Sequence, residues 1–65
     1  MDQEQLKKRL IYATTEIGLK AKQISKYTGI SQTDISRFKN GQIMLCLSDA
    51  DKLASYFDKF FMIES

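Results

Sequence analysis

The chain has no histidine, no proline and a single cysteine, Cys46. Without histidine and with one thiol, neither a zinc site nor an iron–sulfur cluster has enough ligands to form. One cysteine also excludes an internal disulfide. Its neighbours Ile43, Met44, Leu45 and Leu47 mark it as a small buried hydrophobe in place of a redox or intermolecular thiol, with no basic group beside it. A glycine-rich phosphate loop and a nucleophile elbow are both missing, so the parts of an enzyme are not there. No apolar run approaches the ~20 residues that a membrane helix requires. The N-terminal MDQEQLKKRL lacks the apolar core of a signal peptide. The expectation is a cytoplasmic, non-enzymatic protein without a cofactor, away from membranes.

What remains is short and patterned. Sixty-five residues make one domain, 1–65, near the lower limit at which a core alone holds a fold. A deep active site is not expected in so small a chain. Leu6, Leu10, Ala13 and Ile17 form a stripe at helical spacing over residues 3–17, with Asp2 placed to cap it and Gly18 to end it. Residues 42–47, QIMLCL, have no partner strand elsewhere and read as a buried connector. A further helix starts at Ser48, with Asp49 and Asp51 in its first turn and Ala50, Leu53, Ala54 and Phe57 facing inward.

The central stretch, AKQISKYTGISQTDISRFKNG over residues 21–41, reads as two short helices meeting at Gly29. Ile24, Ile30, Ile35 and Phe38, with small Ala21 and Ser25, bury one stripe of each helix against the other. Gly29 stands where a sharp turn makes positive φ cheapest for glycine. Ser31 can cap the second helix, Asp34 suits its first-turn dipole, and Asn40-Gly41 stops it. Such a pair projects its second helix as a ridge that fits a DNA major groove. Fold class follows: an all-α, compact domain of four to five helices around a central helix-turn-helix.

Ile24, Ser25, Gly29, Ile30, Gln32, Ile35, Phe38 and Asn40-Gly41 together resemble the helix-turn-helix of the Cro and lambda-type phage repressor (XRE-like) family. The preceding helix and LSDADKLASYF, residues 47–57, fit that family's lambda-repressor-like domain, so the resemblance covers most of the chain. Thr28 departs from it, standing where the family usually has an aliphatic residue. The resemblance implies a small phage or bacterial repressor that binds double-stranded DNA, with Gln32 as a base reader. It also implies phosphate contacts from Asn40, Gln42 and Lys39. Ala21 replaces a glutamine frequent in the family, so that contact does not carry over.

Net charge is only +2, but its distribution is uneven. Residues 17–47 carry five bases (Lys20, Lys22, Lys26, Arg37, Lys39) against Asp34 alone, a net +4, while the flanks carry five bases and seven acids, a net −2. Positive charge thus collects on the segment that would touch phosphates, although a solvated lysine face is common on helical proteins. Gln32, Thr33, Ser36 and Arg37 share the outward face of the second helix. Gln32 can pair with adenine, Arg37 with guanine or a phosphate, and Thr33 with thymine. Asp34 either supports the cap or accepts from cytosine. Lys20 and Lys22 stand at the N-terminus of the first helix of the central pair, where amides and charge favour phosphate.

The C-terminal YFDKFFMIES offers a second apolar stripe, Tyr56, Phe60 and Ile63. It serves either as a homodimer interface or as extra core over the first helix. A competing function keeps the same fold but uses this tail on a protein, as a small antirepressor or adaptor. Tyr12, Tyr27 and Tyr56 lack an RNA-binding pattern and read as structural.

Overall fold

The computed structural model describes residues 2–61, the last two by backbone alone. Four α-helices follow one another: α1 Gln3–Tyr12, α2 Ala21–Thr28, α3 Gln32–Lys39 and α4 Leu47–Phe61. A π-helical turn, Ala13–Ile17, extends α1, and the described residues contain no strand. The radius of gyration, 10.7 Å, matches the ~11 Å expected for a compact chain of this length. No helix among the described residues is long and apolar enough to cross a membrane.

Local chemistry sets most of the boundaries. The Asp2 carboxylate accepts the Gln5 N–H at 2.8 Å and starts α1. Gly18, at φ 86°, ends the π turn, and its neighbour Leu19 donates to the Ala13 carbonyl at 2.9 Å. Inside that turn, the Thr14 and Thr15 hydroxyls bond back to the Leu10 and Ile11 carbonyls at 2.7–3.1 Å. Hydroxyls that compete for helix carbonyls accompany distortions of this kind.

The wider turn corrects one expectation. Ile17 does not extend the α1 stripe but stands exposed, because a π turn rotates it away from Leu6, Leu10 and Ala13. Leu19 packs against the core instead. That core joins Leu6, Leu10 and Ala13 to Ile24, Ile30, Ile35, Phe38, Leu45, Ala50, Leu53 and Phe57. Helix α1 packs on α3 and α4, and α2 packs on both as well. Burying these side chains contributes on the order of 1.5–3 kcal/mol for each large one.

The connector also differs from expectation. Only Leu45 is buried and Ile43 partly so, while Met44 and Leu47 are exposed. Cys46 is exposed too, not the buried hydrophobe its neighbours imply. The connector is tied to a residue 42 positions upstream. The Gln3 carboxamide donates from Nε2 to the Leu45 carbonyl and accepts the Leu45 N–H at Oε1, both at 3.2 Å. This two-bond clamp holds the Leu45 side chain inward, and its neighbours on either side face out. Helix α4 begins at Leu47, one residue before Ser48, with the Cys46 carbonyl accepting the Ala50 N–H at 2.9 Å.

Candidate nucleic-acid interface

Helices α2 and α3 are joined by a turn held by both backbone and side-chain hydrogen bonds. Gly29 at φ 79° donates to the Ser25 carbonyl at 2.8 Å. Buried Thr28 donates its hydroxyl to the Ile24 carbonyl at 2.7 Å and accepts the Ile30 N–H at 3.2 Å. The Ser31 hydroxyl then accepts the Asp34 N–H at 3.1 Å, capping α3. A short connection fixed by side chains as well as backbone holds the two helices at one angle.

The far end of α3 is equally defined. Gly41 (φ 77°) donates to the Phe38 carbonyl at 3.0 Å, and Gln42 donates to the Arg37 carbonyl at 2.8 Å. These are the two bonds of a Schellman motif, which requires a left-handed residue where Gly41 stands. Helix α3 is therefore a rod of eight residues locked at both ends.

With Ile35 and Phe38 buried on one side of α3, Gln32, Thr33, Ser36 and Arg37 are all exposed on the other. None has a hydrogen bond or ion pair to another described side chain. Their donors and acceptors are thus available together on one face. Asp34 is half-buried in the first turn, beneath the Ser31 cap.

Lys20 and Lys22 are exposed at the α2 N-terminus. The Gln23 side chain accepts the Lys20 N–H at 3.1 Å, while the Gln23 and Ile24 amides donate to the Lys20 carbonyl at 2.9 and 3.1 Å. The Ala21 and Lys22 amides have no helical acceptor, as at any helix start, and are oriented for an anion. Beyond α3, Asn40 and Gln42 are exposed and Lys39 is half-buried. Lys20, Lys22, Lys26, Arg37 and Lys39 form no ion pair with a described residue. Their charge is not neutralised internally.

On another side lies a feature that residue spacing does not announce. An open groove of about 1030 Å³ runs between α2 and α4, lined by Leu19, Gln23, Tyr27, Thr28, Ser55 and Tyr56 with Asp51, Lys52 and Lys59. Tyr27, 75% exposed, stacks on half-buried Tyr56 with ring centroids 5.5 Å apart. Burial pushes the Tyr56 phenol above its ordinary pKa, and the neighbouring Tyr27 adds to the shift. Two tyrosines 29 positions apart leave no periodic signal, although Tyr27 on the polar side of α2 is itself unusual. Of the apolar stripe Tyr56, Phe60 and Ile63, Ile63 and the side chain of Phe60 lie outside the described residues.

No known protein family, curated protein or solved structure matched this chain in the comparisons.

Proposed function

We propose that this protein is a sequence-specific double-stranded DNA-binding regulator of transcription, built as one helix-turn-helix domain in the manner of Cro-type phage or bacterial repressors. The observation that carries this reading is the face of α3: Gln32, Thr33, Ser36 and Arg37 exposed together and unengaged, on a short helix locked at both ends. Helix α3 enters the major groove, where Gln32 pairs with adenine N6 and N7, Arg37 with guanine N7 and O6, and Thr33 meets a thymine methyl. Lys20, Lys22, Lys39, Asn40 and Gln42 hold the flanking phosphates and set the register. The protein acts in the cytoplasm as a homodimer on DNA, regulated by its own concentration, by competition for operators or by a protein regulator.

Selection from a random duplex pool tests the reading. An enriched motif, with affinity that falls linearly in log–log salt, supports it. Recovery of no motif refutes sequence-specific binding.

The groove beside Tyr27 and Tyr56 favours a second reading, an antirepressor or adaptor that keeps the fold and binds a protein. The two separate on heparin or nonspecific duplex at low salt. A regulator of the proposed kind is retained there and an adaptor is not.

A further inference from the structure

We propose that the groove between α2 and α4 is a binding site for a small aromatic carboxylate, whose ring stacks on Tyr27 and whose charge meets Lys52 or Lys59. The groove, about 1030 Å³, is open to solvent and large enough for a drug-sized molecule. Its centre is a pair of stacked rings. Tyr27 lies against Tyr56 with centroids 5.5 Å apart and planes 22° from parallel, yet Tyr27 stays 75% exposed. One face of the Tyr27 ring is therefore covered and the other is open. The stack holds that open face in place, so a third ring docks on it at a reduced entropic cost.

Charge says what kind of ring. On α4, Lys52 stands four residues before Tyr56 and Lys59 three residues after it, so both are its neighbours on one helix face. Both line the groove, both are exposed, and neither forms an ion pair with a described residue. Asp51 is the one acid among the described residues lining the groove, and it is unpaired as well. Two bases against one acid leave the lining at +1, the complement of a single carboxylate. A polyanion meets Asp51 along with the lysines, whereas a monoanion settles beside either lysine and away from it.

Size favours a small molecule over a peptide helix. The seven-residue step from Lys52 to Lys59 rises ~10.5 Å along α4, and both of its ends are charged. The apolar surface between them comes from Tyr27, Tyr56 and Leu19. That is the footprint of a fused ring system, short of the row of i, i+3, i+4 and i+7 pockets that seats an amphipathic helix. No described residue of α3 lines the groove, so its occupancy is read without DNA and stands apart from the DNA reading.

Titration of 1-naphthoate into the isotope-labelled chain, followed by two-dimensional NMR, tests the site. Saturable shifts centred on residues 19–28 and 51–59 are expected, with a dissociation constant of about 0.1–1 mM, the range that ordinary ligand efficiency gives a molecule of this size. The uncharged isostere 1-naphthamide should bind about threefold more weakly, as an exposed ion pair allows. Lys52→Gln with Lys59→Gln should erase that difference, and Tyr27→Ala should weaken both ligands about tenfold. Tyr27→Leu serves in its place if the alanine variant melts below wild type, since it keeps bulk and removes the flat face. No saturable shift up to ~5 mM overturns the proposal. So do equal affinities for the two ligands in wild type, unchanged binding in the Tyr27 variants, or shifts centred outside the groove. Shifts of the same residues on dilution of the free protein also overturn it, because a second copy then holds the groove.

Discussion

The side chain of Thr28 closes the turn before Ile30 by accepting its N–H at 3.2 Å while donating to the Ile24 carbonyl at 2.7 Å. Both groups are buried, so the hydroxyl replaces water that cannot reach them. An aliphatic residue of the same size fits this place, and the exchange therefore looks harmless by volume. It is not. Thr28→Val keeps the shape but leaves the Ile30 amide without an acceptor, at a cost of about 1–3 kcal/mol. Urea denaturation followed by circular dichroism measures it, and a loss under ~0.5 kcal/mol would show that the amide finds another partner.

A long-range bond pair, Gln3 to Leu45, is expected to control the connector. Gln3→Ala removes a donor and an acceptor at a part-buried site, costing about 1–2 kcal/mol at typical net values. Hydrogen exchange at the Leu45 amide should accelerate well beyond what the global loss explains, because that N–H loses its acceptor. Exchange that rises only in step with global stability would mean the connector holds its shape by the packing of Leu45 alone.

These two bonds also mark what sequence reading can and cannot reach. Asp2, Gly18, Gly29, Ser31 and Gly41 act on backbone within a few residues, so their roles are legible from residue type and position. The outward set on α3 is legible for a related reason: helical periodicity decides it once Ile35 and Phe38 face inward. Ile17, Met44 and Cys46 resisted. The first was displaced by a π turn carrying two back-bonding threonines. The other two flank Leu45, whose backbone is bonded by a glutamine 42 residues away. The groove and its Tyr27–Tyr56 stack likewise depend on how α2 meets α4, which no local pattern encodes.

Tyr56 predicts how stability responds to alkali. Its phenol is held above the ordinary value of 10.0, first by burial and then by Tyr27. The unfolded chain therefore releases this proton at lower pH than the folded one. Above pH 10 the unfolded state binds fewer protons, so the stabilising effect, intact at lower pH, is lost as pH climbs through the folded pKa. Melting temperature should fall over that range for wild type and fall less for Tyr56→Phe. Parallel curves for the two proteins would show that the stack imposes no such penalty.

The sharpest distinction to be drawn on α3 is between reading and holding. On the proposed DNA reading, Gln32→Ala and Arg37→Ala each should cost about 1–3 kcal/mol on the preferred duplex and relax its sequence preference. Lys22→Ala and Lys39→Ala remove charge only. They should weaken all duplexes alike and reduce the salt slope by up to about one. All four positions are exposed or half-buried, so the variants should fold, and competition titrations against scrambled duplex at two salt concentrations separate the classes. Arg37 is the deciding case, because it stands one turn beyond Gln32 and close to where α3 ends. If Arg37→Ala lowers affinity for every sequence equally, its guanidinium lies on a phosphate, and base reading contracts to Gln32, Thr33 and Ser36 at the start of the helix.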